Sequence, residues 1–350
     1  TCEECAKIDK AELYGRHFGP LAQRVVDAGH TPAVWGDMFV DHPEALDHLP
    51  KETIVFDWQY FKGVKDTARQ FTDKGFRVVG CPTLHVYNAP WFHIEKSEQN
   101  VRQVSRDIKE LGLHGVCLTT WESGLLGAYD TLFPAISESV KVMDDPDTGS
   151  FLEAYGPSSE WARLMGVELE GCGGVFAFSG HRNKLKSRAL LYSNPFLAWM
   201  HHAEELCGER GDRALAVIEQ ASQVAKGEAE KGVCTAVRSM IDFVRIAEEA
   251  RLLYARNEPE AAINRLTATR TIFDMMMRIA RRSHDRIGGS LADAERCKAA
   301  LDHVDRVIVR LRNYGRRQLG YLPAWEILTH PMFVPHDQAC WWLVNGWGKE

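Results

Sequence analysis

The sequence has no apolar run that approaches the roughly 20 residues needed to span a bilayer. It also has no excess of positive charge, because 42 Lys and Arg face 48 Asp and Glu, for a formal net charge of −6. These absences argue against a membrane partner and against a nucleic-acid partner. A Gly-rich phosphate loop, a His-Glu-x-x-His zinc helix and a Gly-x-Ser-x-Gly nucleophile elbow are missing as well.

Cysteine is present but does not form a dense framework. Nine cysteines, an odd number, are scattered over 350 residues, which favours reduced thiols and a cytoplasmic setting. Cys2-x-x-Cys5 has the spacing of half a zinc site, yet no second close cysteine pair or His-x₃₋₅-His partner follows. We therefore predict no metal and no cofactor.

The first part of the chain alternates β-rich segments with helical patterns. Each β-rich segment ends in an aromatic residue, and the segments are Pro32 to Trp35, Thr53 to Trp58, Arg77 to Tyr87 and Gly115 to Trp121. Helical spacing is found over Ala11–Ala28, Lys62–Lys74 and Ser97–Leu111, each followed by a glycine. Strands that follow crossover helices pair in parallel, so their carboxyl ends should converge on one rim.

The pattern changes near residue 145. A turn-rich joint, Asp144 to Ser150, precedes long helical periodicity over Arg213–Asn257, Pro259–Ile287 and Ser290–Leu319, with an interruption of the first helix near Gly227 or Gly232. We predict an α-helical domain over residues 146–350 after an α/β domain over residues 1–145. The tryptophan-rich C-terminal stretch is interpreted as a docking tail that packs onto the body of the protein, with contact to a ligand as the alternative role of its tryptophans.

The strand ends carry the residue types of a sugar pocket, which combines flat aromatic walls with carboxylates and amides that hold hydroxyl groups. The candidate residues are Trp35, Asp37, Asp57, Trp58, Tyr60, Tyr87, Asn88, Trp121 and Glu122. A rim with this mixture predicts a carbohydrate partner.

Four motifs carry a resemblance to a known family. They are Ala33-Val34-Trp35-Gly36-Asp37-Met38, Thr53-Ile54-Val55-Phe56-Asp57-Trp58, Pro82-Thr83-Leu84-His85-Val86-Tyr87 and Thr119-Thr120-Trp121-Glu122. Over about residues 1 to 140, the chain resembles strands five to eight of the family 20 glycoside hydrolases, the β-N-acetylhexosaminidases. The resemblance implies the C-terminal half of a (β/α)₈ TIM barrel. It also implies that Trp35 walls the sugar pocket, that Tyr87 acts in catalysis by hydrogen-bonding the substrate acetamide, and that Trp121 floors the ring.

The resemblance implies a reaction as well. Family members hydrolyse terminal β-linked N-acetylhexosamine with retention, using the substrate's own acetamide as the nucleophile. Their catalytic Asp-Glu pair ends strand four, so we expect it upstream of Thr1, and Glu3-Glu4 are not that pair. The chain departs from the family at two points, because Asn88 and Ala89 follow Tyr87 where Tyr-x-Asp is common, and Glu122 follows Trp121 directly where Trp-x-Glu is common.

Two alternatives to a glycosidase are open at this point. The first is a non-catalytic carbohydrate-binding or scaffold protein, in which the barrel is degenerate and the helical domain recruits partners. The second is a metal-dependent amidohydrolase with ligands on preceding strands, for which His85, His93 and His114 would be of interest. These histidines do not have ligand spacing.

Overall fold

The structure, a computed structural model, describes residues 2–84, 91–120, 129–176, 203–287 and 291–314. The chain forms two compact units. The sheet unit consists of the described residues within Thr1–His85, Glu95–Trp121 and Ala135–Ala154. The helical unit consists of the described residues within Val86–Ile94, Glu122–Pro134 and Tyr155–Glu350.

Short parallel strands alternate with helices in the first part of the chain. The strands are β1 (Ala33–Trp35), β2 (Ile54–Trp58), β3 (Arg77–Cys81), β4 (Thr83–Leu84), β5 (Gly115–Val116) and β6 (Thr119–Thr120). The helices are α1 (Lys10–Asp27), α2 (Asp37–Asp41), α3 (Lys65–Asp73), α4 (Ile94–Leu111) and α5 (Phe133–Asp144). The predicted order of strands and helices is confirmed over the described residues, except that α2 also lies between β1 and β2 and that the last two predicted strands are each divided in two.

The sheet has the strand order β1-β2-β3-β5, and every pairing is parallel. β4 and β6 continue the last pairing in the same register, because Val79 lies opposite Gly115 and Thr83 opposite Thr119. Pro82 separates β3 from β4 because proline has no N–H to donate to a ladder. Its carbonyl still accepts a hydrogen bond of 2.8 Å from the Thr119 amide.

Local sequence accounts for the ends of the first helices. The Asp9 carboxylate caps α1 by accepting a hydrogen bond of 2.8 Å from the Ala11 amide. Gly75, with a φ of 82°, lies just beyond the end of α3, and Gly112, with a φ of 60°, follows α4 directly. Glycine adopts this left-handed conformation without steric cost, so both helices stop where the sequence predicted.

One hydrophobic core joins the sheet to the helices of the sheet unit. Val55 and Val78 enter it from the strands, and Phe39, Phe71 and Val104 enter it from helices. Gly80 allows α4 to approach the sheet closely, because a Cβ at this position would lie 2.7 Å from Ile108 Cδ1 and 3.0 Å from Val104 Cγ1.

The described part of the helical unit combines short helices of three to nine residues with four helices of 16 to 28 residues. They are α6 (Ser159–Arg163), α7 (Leu169–Gly171), α8 (Ala203–Cys207), α9 (Glu209–Val224), α10 (Glu228–Ala255), α11 (Pro259–Thr267), α12 (Thr269–Ile287) and α13 (Ala292–Tyr314), with a π-helical turn at Leu164–Glu168. The predicted interruption near Gly227 is confirmed, since Gly227 is the N-cap of α10. The prediction of one helix over Pro259–Ile287 was wrong, because the helix is interrupted at Ala268.

Buried aromatic rings form a second core, inside the helical unit. Trp91 and Trp161 are buried and pack edge to face, with ring centroids 4.6 Å apart. The Trp91 indole donates a hydrogen bond of 2.9 Å to Thr131 Oγ1, and the Tyr155 hydroxyl donates one of 2.9 Å to the Thr131 carbonyl. The predicted C-terminal docking tail lies outside the described residues.

The close approach at Gly80 generates a stability prediction. Gly80→Ala should lower the free energy of unfolding by about 1–3 kcal/mol, because the new methyl group overlaps buried side chains of α4. Urea unfolding followed by circular dichroism would measure the loss.

Gly115→Ala is the matched control, because Gly115 lies on β5 of the same sheet and a Cβ there meets no atom within 4 Å. We expect a change within about 0.5 kcal/mol for this variant. Equal losses in the two variants would contradict the packing of α4 on Gly80.

Candidate functional site

The two faces of the sheet differ in what covers them. Along β2, Val55 and Asp57 are buried, whereas Ile54, Phe56 and Trp58 are partly exposed. Successive side chains of a strand point to opposite faces, and Val55 belongs to the core shared with the helices. The other face bears Trp35, Phe56 and Trp58, and we call it the open face.

Aromatic rings line the open face at the carboxyl ends of β1 and β2. Trp35 is 44% exposed and packs edge to face with Phe56, with ring centroids 5.8 Å apart. Trp58 stacks on Tyr60 with centroids 4.8 Å apart and an interplanar angle of 28°. Flat rings that are partly exposed can pack against the apolar face of a ligand. The structure thus places three of the predicted residues, Trp35, Trp58 and Tyr60, at this end of the sheet.

A buried amide holds the loop that carries Tyr60. Asn100 of α4 donates hydrogen bonds of 2.7 Å to the Gln59 carbonyl and 3.2 Å to the Lys62 carbonyl, and it accepts one of 2.9 Å from the Thr83 amide. Asn100 is 5% exposed, so these bonds satisfy the amide away from water. Sequence reasoning missed this residue, because its partners lie 17 to 41 positions away along the chain.

Asp57 lies on the helix-facing side of the sheet. It is 1% exposed, and its carboxylate accepts hydrogen bonds of 2.5 Å from the Thr67 hydroxyl on α3 and 3.3 Å from the Gln59 amide. Burial raises the pKa of Asp57, while the bonds from Thr67 and Gln59 and the charge of Lys62 oppose the rise. The structure does not bring Asp57 together with Trp35 and Trp58. Its contacts instead tie β2 to α3.

Asp37 begins α2, two residues beyond Trp35, and its side chain is exposed. Burial and the charge of Asp37 raise the pKa of Tyr14 on α1. Tyr87, Asn88, Trp121 and Glu122 lie outside the described residues, and so does His85.

The remaining histidines of the amidohydrolase alternative lie in different settings. His93 is buried, with its Nδ1 atom 3.2 Å from a carboxylate oxygen of Glu170, whereas His114 is exposed. Within the described ranges, no three His, Cys, Asp or Glu side chains are grouped as a metal site would require.

The architecture is mixed α/β, with a small parallel sheet and a predominantly helical remainder. Over the part of the chain that the structure describes, no helix combines the length and apolar composition of a membrane span. A scan of protein-family models and a search of curated proteins each found no match.

The buried carboxylate generates a prediction about pH and stability. Thr67→Val should destabilise the protein by about 1–3 kcal/mol at pH 7.5, because it removes a donor to a buried charge. The raised pKa means that the folded state binds the Asp57 proton more tightly than the unfolded state does. Asp57 therefore contributes fully to stability below pH 3.8, which is the ordinary pKa of an aspartate. This contribution falls as the pH rises through the pKa of Asp57 in the folded state. The cost of the substitution should shrink as pH is lowered, because protonation removes the buried charge.

Urea unfolding at a series of pH values from 7.5 down to 3.8 would measure both effects. Thr72→Val is the matched control on α3, since the Thr72 hydroxyl is exposed and donates a local hydrogen bond of 3.2 Å to the Arg69 carbonyl. A cost for Thr67→Val that is the same throughout the series and equal to that of Thr72→Val would contradict a hydrogen-bonded charge at Asp57.

Proposed function

We propose that the protein is a glycoside hydrolase that removes terminal β-linked N-acetylhexosamine residues. The observation that carries the proposal is the open face, where Trp35, Trp58 and Tyr60 present aromatic rings at the carboxyl ends of consecutive parallel strands. In barrel enzymes, this end of the strands is where ligands bind.

The strand order supports a half-barrel as the proposed architecture. Spatial order follows chain order, β1-β2-β3-β5, with all pairs parallel and helices against one face. A (β/α)₈ barrel has this sequential arrangement, whereas a doubly wound sheet reverses its strand order at a switch point. In the proposed barrel, the open face is the interior and the helix-facing side is the outer layer.

In the proposed mechanism, Trp35 forms a wall of the sugar pocket and Trp121 forms its floor, beneath the sugar ring. The acetamide oxygen of the substrate attacks the anomeric carbon, and the Tyr87 hydroxyl donates a hydrogen bond to the acetamide in that step. In the family that the chain resembles, a glutamic acid protonates the leaving oxygen and its neighbouring aspartate orients the acetamide, and the proposed reaction needs the same two groups. Asn88 and Glu122, at the two departures from the family pattern, would set the preference for ring substituents.

A second candidate function is sugar binding without turnover. The observation that favours it is the position of Asp57, the carboxylate of β2, which bonds to Thr67 on α3 instead of facing the ligand side. Along β2, the open face bears Ile54, Phe56 and Trp58, none of which is acidic.

Trp35→Ala in the full-length protein tests the proposal. We expect hydrolysis of 4-nitrophenyl N-acetyl-β-glucosaminide by the unmodified protein and a loss in kcat/KM of more than about tenfold in the variant, because stacking and pocket shape are removed together. The matching β-glucoside should not be hydrolysed, since it has no acetamide to act as the nucleophile.

Phe133→Ala is the matched control, because Phe133 is 50% exposed but belongs to the helical unit. It should leave kcat/KM unchanged. Binding of N-acetylglucosamine with no hydrolysis would favour the second candidate function, and a Trp35→Ala variant with normal hydrolysis would exclude the proposed pocket.

A further inference from the structure

Two cysteines near the start of the chain share one helical turn. The Ala6 amide donates a hydrogen bond of 3.0 Å to the Cys2 carbonyl, and the Cys5 amide donates one of 3.3 Å to Cys2 Sγ. Cys2 and Cys5 are three positions apart, and Cα atoms with this separation in a turn lie within about 7 Å of each other. That distance is compatible with the Cα separations of a disulfide.

The hydrogen bonds of this turn make the two thiols unequal. The hydrogen bond from the Cys5 amide to the Cys2 sulfur lowers the pKa of Cys2, and the Cys5 side chain acts in the same direction, whereas the neighbouring Cys2 side chain raises the pKa of Cys5. A thiolate, not a thiol, is the nucleophile in exchange with a disulfide. Cys2 is exposed and Cys5 is half-buried, so a small reagent can reach the pair.

Other cysteines of the described chain lie in less reactive settings. Burial raises the pKa of Cys81, Cys172, Cys207 and Cys234. Cys81 and Cys117 are also neighbours on adjacent strands. Gly80 lies opposite Val116 and Thr83 lies opposite Thr119, and the same register places Cys81 opposite Cys117. Cys81 is completely buried, however, so this second pair is poorly accessible to a reagent.

We propose that Cys2 and Cys5 form a thiol–disulfide exchange site, in which Cys2 attacks an external disulfide and Cys5 resolves the mixed disulfide. This site is independent of the proposed glycosidase pocket.

The exchange is balanced by the external disulfide itself. Cys2 thiolate attacks one sulfur of the reagent, so its S–S bond breaks, a mixed disulfide forms on Cys2 and one thiolate leaves. Cys5, after losing its proton to water, attacks the Cys2 sulfur and releases the second thiolate. The protein loses two electrons and two protons, and the reagent is reduced to two thiols.

Charge around the pair indicates the class of reagent. Glu3 and Glu4 lie between the two cysteines and are exposed. Their negative charge should favour a cationic disulfide over an anionic one through electrostatic attraction. Cystamine and oxidised glutathione are suitable probes of the two kinds.

The test is oxidation of the reduced full-length protein by cystamine at pH 7.5, followed by peptide mass spectrometry. We expect a Cys2–Cys5 disulfide in the unmodified protein and a trapped mixed disulfide on Cys2 in Cys5→Ser. Cys2→Ser should slow the first modification by about tenfold or more, because the activated thiolate is gone. Oxidised glutathione should react more slowly than cystamine, and added salt should reduce the difference.

Cys207→Ser is the matched control, because Cys207 is exposed like Cys2, but partial desolvation raises its pKa, whereas hydrogen bonds lower the pKa of Cys2. It should leave the rate of Cys2–Cys5 oxidation unchanged. The proposal would be overturned if cystamine first modified the Cys2→Ser and Cys5→Ser variants at equal rates, or if it modified Cys207 before Cys2.

Discussion

The alternation of side chains along β2 decides which residues of the sheet unit can meet a ligand. Val55 packs into the core formed with the helices, so the next residue, Phe56, must point to the other face. The parallel register carries this division to the neighbouring strands, placing Trp35 beside Phe56 and Gly80 beside Asp57. Gly80 then faces α4, where its missing side chain allows close packing, and Trp35 remains partly exposed. The aromatic open face is thus a consequence of the same packing that holds the helices on the sheet.

Much of the sheet unit could be predicted from the sequence because its signals are local. Helical spacing followed by glycine predicted α1, α3 and α4 to within a few residues, and the β-rich segments predicted the strands between them. Breaks within three predicted elements were missed, and the break between β5 and β6 lies beside the one at Pro82. One segment that was predicted as a single strand is interrupted at Pro82, because proline has no N–H to donate to the neighbouring strand. The Pro82 carbonyl still accepts a hydrogen bond from the Thr119 amide, so the strands pair on both sides of the interruption. At Ala268, the backbone stays close to helical dihedral angles, so no strong breaker in the sequence marks the division between α11 and α12.

The candidate site was harder to predict because its geometry depends on contacts that are distant in sequence. Strands of a parallel sheet are often apolar on both faces, so the residues around Asp57 do not show which way its carboxylate points. The answer comes from Thr67, whose hydroxyl lies on α3 and bonds to the carboxylate. A buried carboxylate without such donors would be costly, which is why the hydrogen bonds and the raised pKa occur together. Asn100 was equally hard to predict, because its side-chain amide bonds to residues that are distant in sequence. These bonds join the loop at Gln59 to β4 at Thr83, and no sequence motif marks the asparagine.

The aromatic open face and the proposed substrate-assisted reaction fit each other chemically. A retaining glycosidase of the ordinary type needs two carboxyl groups about 5–5.5 Å apart, one as acid and one as nucleophile. When the substrate acetamide is the nucleophile, these strands need to supply mainly aromatic walls and a hydrogen-bond donor for the acetamide. Trp35, Trp58 and Tyr60 are side chains of the first kind, and Tyr87 is the proposed donor. Because Asp57 is buried against α3, the acid of the proposed reaction has to be another residue, and without that acid the same aromatic walls would bind sugar without turnover.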